Sequence, residues 1–291
     1  MNSENRYLQL ARLLLRHPLA KIALLLYFLL LVFWFWIFSV GSIEGLINNV
    51  FGLLYPLISL SGGLFGLLFA AKKWGGFKSV MGKGIIFLSL GLLAEVFGQW
   101  AWSYFTIIQQ VEVPYPSIAD LGYFAIVPFY AYAMYNFSIA AGIKFSLKTY
   151  LGKIQAIIVP LVMISVAYFL FLEDVSVDLE NPLKTFLDFG YPGFEAIAIS
   201  IGILTYSLSR NLLGGIMQPR ILYFVFALIA QYVTDYYFLY SVGVETYYNG
   251  GIVDLMYATS LTIMTLGIVS FAYLDFGASK QGKATELNRP L

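Results

Sequence analysis

Cysteine is absent from this 291-residue chain, and histidine occurs once, as His17 near the N-terminus. Without cysteine the chain forms no disulfides, thiolate metal sites or cysteine nucleophiles. A single histidine excludes bis-histidine haem ligation and histidine-rich metal sites. We therefore expect no metal and no cofactor.

Charge is also scarce. Charged residues make up 11% of the chain, hydrophobic residues make up 60%, and the mean hydropathy is +0.79. A soluble domain of this length needs more charge to cover its surface, so the composition indicates an integral membrane protein. About twenty apolar residues cross a bilayer as a helix. We predict an all-α fold of eight such helices, arranged as four sequential hairpins, at residues 22–40, 46–71, 84–107, 118–141, 151–172, 188–209, 221–243 and 252–276.

The 17 lysines and arginines are distributed unevenly around these predicted helices. If the N-terminus is cytoplasmic, Lys184 alone lies outside. The positive-inside rule then predicts a multi-pass cell-membrane protein with both termini in the cytoplasm. The cations on the cytoplasmic side are Arg6, Arg12, Arg16, Lys21, Lys72, Lys73, Lys78, Lys83, Lys144, Lys148, Lys153, Arg210, Arg220, Lys280, Lys283 and Arg289.

The two ends of the chain differ from the hydrophobic region at 21–276. Within residues 1–20, the side chains of Tyr7, Leu10, Ala11 and Leu14 form an apolar stripe among arginines. This pattern predicts an amphipathic basic helix on the inner leaflet, stopped by Pro18. Residues 277–291 are expected to form a short polar cytoplasmic tail.

A four-residue step recurs at the start of the even-numbered predicted helices. Asp120-Leu-Gly-Tyr123, Asp188-Phe-Gly-Tyr191 and Asp254-Leu-Met-Tyr257 follow one another at intervals of 68 and 66 residues. Each interval is the length of one helical hairpin, and Asn48-Asn-Val-Phe51 is a weakened version of the step. Repetition at this period predicts four similar hairpins that run in the same direction.

The repeated step has two interpretations, which are compatible with each other. An aspartate just before an inward-running helix is a good N-cap and faces the positive end of the helix dipole. A tyrosine three residues later then lies near the lipid headgroups. Alternatively, an outward-facing vestibule is bordered by Asp120, Tyr123, Asp188, Tyr191, Asp254 and Tyr257.

Three further acids, Glu95, Glu195 and Asp235, lie within predicted helices. A carboxylate at such depth is costly unless it is protonated, paired or hydrated, and it marks a functional site by default. Each acid has a companion about one turn away, respectively Gln99, Tyr191 and Gln231. These groups either hold the bundle together through interhelical hydrogen bonds or bind a ligand or ion, and the sequence leaves both open.

Several activities are excluded by what the predicted helices contain. A retinal pigment requires a lysine deep within a helix, and all predicted lysine positions are at or beyond a membrane face. The chain lacks the histidines of a zinc hydrolase, a base placed to activate serine or threonine, and a glycine-rich nucleotide loop. We therefore expect neither an enzyme nor a nucleic-acid-binding protein.

Trp102, Tyr104 and the segment PYPSIADLGYFAIVP at 114–128 carry a resemblance to a known class of membrane region. Around residues 100–130, within the third and fourth predicted helices, which together make up about a sixth of the chain, the sequence resembles the N-terminal multi-spanning sensory regions of some bacterial diguanylate cyclases and histidine kinases. In those regions a Pro-Ser-x-Ala-Asp step, followed by Tyr and Pro, joins two hydrophobic helices. The resemblance implies a membrane module that detects a signal. Because this sequence lacks their output domain, it also implies a protein partner at the cytoplasmic face.

Two functions remain after these exclusions. The favoured one is a sensor-like or accessory subunit that binds a small ligand or lipid in an outward-facing pocket. The alternative is a proton- or cation-coupled secondary transporter that uses Glu95, Glu195 and Asp235. Few central breaks of the kind found in transporters are present, with Pro56, Pro128 and Pro160 as exceptions. The sequence specifies neither the ligand nor the oligomeric state.

Overall fold

The computed structural model describes residues 3–172, 177–209 and 217–273. Every regular element in these ranges is helical, so the all-α prediction is confirmed there. The α-helices are α1 (Ser3–Arg16), α2 (Pro18–Val40), α3 (Leu46–Leu54), α4 (Pro56–Phe65), α5 (Ala71–Lys73), α6 (Val80–Ser103), α7 (Ile118–Ala140), α8 (Ile143–Ser146), α9 (Tyr150–Ala167), α10 (Pro182–Ser209), α11 (Met217–Gly243) and α12 (Ile252–Ser270). Short π-helical turns extend α4, α6 and α9 at Gly66–Ala70, Tyr104–Gln109 and Tyr168–Leu172.

Seven helical stretches in the described ranges are long and apolar enough to cross a bilayer. The chain is therefore a multi-pass helical membrane protein. The predicted span at 118–141 forms α7 but is not one of the seven, because its polar residues, such as Asp120 and Asn136, and its tyrosines make it less apolar. The seven stretches are Pro18–Val40, Leu46–Lys73, Val80–Gln109, Tyr150–Leu170, Pro182–Leu208, Pro219–Gly243 and Ile252–Ser270.

The observed helix ends differ from the predicted ones by four residues at the starts of α2 and α6, and three other differences are larger. Helix α10 begins at Pro182 and not at Asp188. Asn181 accepts a hydrogen bond from the Lys184 amide at 3.4 Å, and a proline at the first helical position needs no N–H partner, so the start is set six residues earlier. The predicted span 46–71 is divided at Tyr55, because Pro56 has no N–H to bond to the preceding turn. The last predicted span, 252–276, is too long, because α12 ends at Ser270 and Phe271 caps it. The predicted tail 277–291 lies outside the described residues.

Helix α1 packs part of its predicted apolar stripe onto the bundle. Leu10 and Leu14 are buried in a small cluster with Ala20 and with Val269 of α12. The other two members of the stripe, Tyr7 and Ala11, are exposed. The helix therefore contacts the bundle through Leu10 and Leu14, while Tyr7 and Ala11 face away from it.

Six helices form a closed ring. Around it, α4 packs on α6, α6 on α7, α7 on α10, α10 on α11, α11 on α12, and α12 returns to α4. Helix α2 lies outside the ring against α12, and α9 lies outside it against α10. Consecutive long helices thus pack as hairpins, and the ring brings the fourth hairpin back to the first.

The tightest contact in the ring is a seam of glycines and aromatic rings between α6 and α7. Glycines recur every seven residues on α6 and aromatic rings every seven on α7, in the pairs Gly84–Phe137, Gly91–Tyr130 and Gly98–Tyr123. A Cβ at Gly91 would lie 2.2 Å from the Tyr130 ring, and one at Gly122 would lie 2.4 Å from the backbone nitrogen of Gly98. Small residues let membrane helices approach this closely, and the seven-residue spacing places each ring in a hole on the facing helix. This packing sets Tyr123 beside the polar residues of α6.

The end of α12 is held by three donors from elsewhere in the chain. Trp74 Nε1 donates to the Phe271 carbonyl at 2.8 Å, Lys73 Nζ to the Ala272 carbonyl at 2.6 Å, and Arg220 Nη2 to the Tyr273 carbonyl at 2.5 Å. Arg220, which the sequence suggested was a loop cation, is 0% exposed, with its guanidinium over the rings of Trp74 and Phe271. Cations and donors at a helix C-terminus satisfy its free carbonyls and oppose its dipole.

Candidate functional site

The three predicted membrane acids come together inside the ring. Glu95 on α6 lies within electrostatic reach of Asp235 on α11, and Asp235 faces Glu195 on α10. Asp254 on α12, which the sequence predicts to be a helix cap, also interacts electrostatically with Glu95. Four carboxyl groups from four different helices of the ring therefore share one region of the interior.

Asp235 is the best-connected member of this group. Its Oδ1 accepts a hydrogen bond from the Tyr257 hydroxyl at 2.8 Å and one from Gln231 Nε2 at 3.2 Å. Gln231 in turn accepts from the Ser260 hydroxyl at 2.8 Å. The expected companion Gln231 thus lies beside its acid, and α11 and α12 are joined through a polar chain.

The side chains of Glu195 and Asp235 lie close together, but one oxygen of Glu195 has no hydrogen-bond partner. The two side chains lie within reach of a hydrogen bond to each other. The Glu195 Oε2 atom is nevertheless buried with no hydrogen-bond partner at normal distance. Tyr191, one turn away and expected as its companion, donates instead to Asp120 Oδ1 at 2.9 Å. Glu195 is therefore a partly buried acid, with one fully buried oxygen, whose neighbouring group is another acid.

Glu95 lies deepest of the three, with 2% of its surface exposed. Its charged neighbours are Asp235 and Asp254. Four tyrosines lie within electrostatic reach of it, namely Tyr55, Tyr123, Tyr130 and Tyr257. Its companion Gln99, which is also buried, accepts a hydrogen bond from the Tyr123 hydroxyl at 2.6 Å. The acids thus sit in a tyrosine-rich polar core, which we call the carboxyl–tyrosine core and define as Glu95, Gln99, Tyr123, Glu195, Gln231, Asp235 and Tyr257.

Asp120 and Asp188 lie nearer the helix ends and link α7 to α10. Asp120 Oδ2 accepts from the Ser117 amide at 2.7 Å, which completes a capping box, while its Oδ1 accepts from Tyr191 on α10. In the other direction, Tyr115 donates its hydroxyl to Asp188 Oδ1 at 2.7 Å. Burial, followed by the hydrogen bond to Asp188, raises the pKa of Tyr115 well above its usual value, so this phenol stays a donor. The two Asp–Tyr bonds cross between hairpins.

Asp254 is almost fully buried, at 1% exposure. Its Oδ2 accepts from the Gly250 amide at 2.7 Å and its Oδ1 from the Tyr247 hydroxyl at 3.2 Å. Burial and the adjacent Asp254 raise the pKa of Tyr247, which keeps its proton available for this bond. Both oxygens of Asp254 are thus bonded within the turn that precedes α12.

The repeated step has a common geometry that differs from the predicted one. Asn48, Asp120 and Asp254 are each the third residue of their helices, whereas the N-cap before α7 is Ser117 and the one before α12 is Gly251. Asp188 is the seventh residue of its helix. Asp120 and Asp254 bond back to an amide ahead of their helices, so they cap the first turn from the third position and not as the N-cap itself.

The tyrosines of the step point to polar partners inside the protein. Tyr123 reaches Gln99, Tyr191 reaches Asp120, and Tyr257 reaches Asp235. All three hydroxyls are therefore bonded within the protein, and their expected position near the headgroups stays a prediction. A vestibule open to the outside stays a prediction.

The chemistry available to the carboxyl–tyrosine core is proton exchange. Within the described ranges no three histidine, aspartate or glutamate side chains are grouped closely enough to hold a metal ion. Two ionised carboxylates offer no donor to each other and repel, whereas one added proton makes the pair a donor and an acceptor. Tyr257 donates to Asp235 and stabilises that side chain as the carboxylate of the pair.

The chain was also compared with known proteins. No protein-family model matches it, and no curated protein or solved structure is detectably similar to it. The function is consequently inferred from the geometry of the chain's own residues.

Proposed function

We propose that this protein is a sensor-like or accessory membrane subunit whose ligand is a proton, taken up by the Glu195–Asp235 pair. In this proposal the uptake alters the packing of the hairpins, and a protein partner at the cytoplasmic face responds to that change. The proposed ligand, a proton, replaces the small molecule or lipid expected from the sequence.

One observation carries the proposal. Glu195 lies on α10 and Asp235 on α11, and these helices belong to successive hairpins that meet in the ring. The Oε2 atom of Glu195 is buried without a partner, so the pair gains a full hydrogen bond when it takes up a proton. Because the bond crosses the boundary between hairpins, its formation pulls the two hairpins together.

Proton-coupled transport is the second candidate. The observation that favours it is the convergence of Glu95, Glu195 and Asp235 from three helices of the ring. Acids grouped in a bundle interior are typical of proton relays. The two candidates differ in one consequence, since only a transporter moves protons across the bilayer.

We further propose eight crossings with both termini in the cytoplasm. Helix α7 has 23 residues, and at about 1.5 Å per residue this exceeds the roughly 30 Å of the hydrocarbon core. Its seam with α6 runs from Tyr123 to Phe137 against Gly98 to Gly84. A helix that follows a membrane-crossing neighbour over this length is expected to cross with it.

The first experiment measures the distance between the hairpins as a function of pH. Spin labels are placed on cysteines at Leu183, at the start of α10, and Tyr240, near the end of α11, which are 57% and 60% exposed. The chain has no native cysteine to remove. We expect the distance distribution to shift between about pH 8 and about pH 5, the range in which carboxyl pairs of this kind change protonation. The shift should disappear in Glu195→Gln and persist in Glu180→Gln, a matched change at an exposed acid.

The same variants are then tested for proton flux in liposomes. A pH-dependent distance shift without flux supports the sensor-like function. Flux that is lost in Glu195→Gln but kept in Glu180→Gln establishes the transporter instead. A distance that stays constant in wild type, with no flux, overturns both.

A further inference from the structure

A groove of about 390 Å³ lies beside the turn between α1 and α2, at the same end of the bundle as the C-terminus of α12. One part of it is basic, with Lys72 and Lys73 beside the His17 ring, and another is apolar, with Phe65, Leu68 and Phe69. The groove is separate from the carboxyl–tyrosine core and takes no part in the function proposed above.

The apolar half of the groove faces outward from the bundle. Leu68 is 50% exposed and Phe69 is 63% exposed, and both belong to the apolar stretch Leu46–Lys73. In a bilayer such side chains contact acyl chains. The groove is therefore open to lipid along this side.

The basic half lies where that apolar stretch ends. Lys72 and Lys73 are the last two residues of the stretch and are exposed. Lys73 Nζ donates to the Ala272 carbonyl at 2.6 Å, which holds its ammonium group at the edge of the groove. His17 contributes a ring that packs edge-on against Phe65 with 5.1 Å between centroids, and its Nδ1 is buried without a hydrogen-bond partner. None of the residues that line the groove is acidic.

We propose that this groove binds the headgroup of an anionic phospholipid, with the phosphate between Lys72 and Lys73 and an acyl chain along Leu68 and Phe69. Charge complementarity favours an anion, and the adjoining exposed apolar side chains favour a lipid over a free phosphate. Basic pockets between membrane helices at the cytoplasmic side are suited to such headgroups. The occupied groove would fasten α1 and α2 to the end of α12.

The test is native mass spectrometry of the full-length protein released from detergent with added phosphatidylglycerol or phosphatidylcholine. We expect wild type to retain phosphatidylglycerol selectively. Lys72→Gln with Lys73→Gln should lower the apparent affinity for phosphatidylglycerol by roughly 10-fold or more, since each lysine near an anionic surface contributes on the order of 1 kcal/mol. Lys72→Gln alone, which leaves the Lys73–Ala272 bond in place, should give about half of that effect on a logarithmic scale.

The matched control is Lys78→Gln with Lys153→Gln, which removes two exposed lysines outside the groove. Phosphatidylglycerol binding should be unchanged in this control. Phe69→Ala should weaken the binding of phosphatidylglycerol. It should not change the binding of inorganic phosphate, which is added as a separate probe.

Three results would overturn the proposal. Equal retention of the two lipids would show that charge is not recognised. Competition by inorganic phosphate at the same concentration as lipid would assign the site to the free anion. If Lys72→Gln with Lys73→Gln changed the oligomeric mass of the protein relative to wild type but left the amount of bound lipid unaltered, the groove would be assigned to a second copy of the chain.

Discussion

The buried acids differ in how completely their oxygens are bonded. Asp254 has donors on both oxygens, and Asp235 Oδ1 has two donors. Glu195 Oε2 has none at normal distance. A buried oxygen without a hydrogen-bond partner raises the free energy of the folded state. Protonation of the pair should therefore stabilise the protein more at Glu195 than at the other acids. The proposed response to pH therefore centres on Glu195 and not on the turn around Asp254.

The bond from Tyr257 to Asp235 should contribute measurably to stability. We expect Tyr257→Phe to lower the free energy of unfolding by about 0.5–1.5 kcal/mol, because one hydrogen bond is lost without a change in ring packing. Unfolding in detergent, followed by circular dichroism, provides the measurement. Tyr240→Phe is the control, since Tyr240 is 60% exposed. Equal stability of Tyr257→Phe and wild type would mean that this bond is not formed.

His17 should make stability depend on pH. Burial lowers the pKa of His17 below its usual 6.5, so the folded chain holds the neutral imidazole while the unfolded chain is protonated more readily. The unfolded state then binds more protons as pH falls through that value, and stability should decrease on the acid side.

The measurement is the unfolding midpoint of wild type and His17→Asn between about pH 7.5 and about pH 5.5. Wild type should lose more stability than His17→Asn over this interval. If stability fell equally with pH in the two proteins, His17 would not be the cause of the pH dependence. A larger loss of stability in His17→Asn than in wild type would mean that His17 stabilises the fold at low pH.

At this scale the sequence identified which acids matter but not what each one contacts. Depth within an apolar run is visible in the sequence, so Glu95, Glu195 and Asp235 were found. The pairing of Glu195 with Asp235 depends on α10 meeting α11 face to face, and no local pattern encodes that. Tyr191 was paired with Glu195 by helical spacing, whereas its hydroxyl reaches Asp120 on another helix.

At the scale of elements, the seam between α6 and α7 sets the geometry of the core. Three aromatic rings on α7 lie against three glycines on α6, and Tyr123 at one end of the seam bonds to Gln99. The backbones also approach closely where Gly122 meets Gly98. The seam thus fixes the position of Glu95, which lies one turn before Gln99.

Gly122→Ala should therefore destabilise the protein. The added Cβ would meet backbone atoms of α6 at 2.4–2.6 Å, which a side-chain movement cannot relieve. We expect a loss of about 1–3 kcal/mol, the usual cost of overpacking. Gly193→Ala is the matched control in α10, because nothing lies within 4 Å of its added Cβ. Comparable losses in both variants would point to helix flexibility and not to contact as the cause.

The seam was present in the sequence and could have been recognised. Glycines at 84, 91 and 98 and aromatic residues at 123, 130 and 137 share one spacing. A search for small residues at heptad intervals in adjacent predicted helices would have paired them. The early start of α10 was harder to foresee, because Asn181 and Pro182 begin the helix in a polar segment where hydrophobicity predicts a loop.

At the scale of the whole molecule, the closed ring explains why distant repeats meet. The last hairpin returns to the first through α12 and α4, and the interval of 66–68 residues places similar steps at similar depths. Composition predicted the membrane class directly. The order of helices around the ring was not predictable, because it depends on packing between non-adjacent hairpins.

The proposed topology is tested by labelling single cysteines in intact cells. We expect an impermeant thiol reagent to label a cysteine at Leu179, which is 86% exposed in the segment before α10. A cysteine at Phe77, 66% exposed between α5 and α6, should be labelled only after the cells are opened. The reverse pattern would invert the topology. Labelling of neither cysteine in intact cells, with both labelled after the cells are opened, would remove α7 from the set of spans.

The central claim is that Glu195 and Asp235 share a proton across the boundary between two hairpins. Infrared difference spectroscopy of the full chain in lipid, recorded between about pH 8 and about pH 5, detects the carbonyl stretch of a protonated carboxylic acid. The account predicts one such band that is lost in Glu195→Gln, shifted or lost in Asp235→Asn, and kept in Glu112→Gln, where the acid is exposed. A band that survives unchanged in both Glu195→Gln and Asp235→Asn would contradict it.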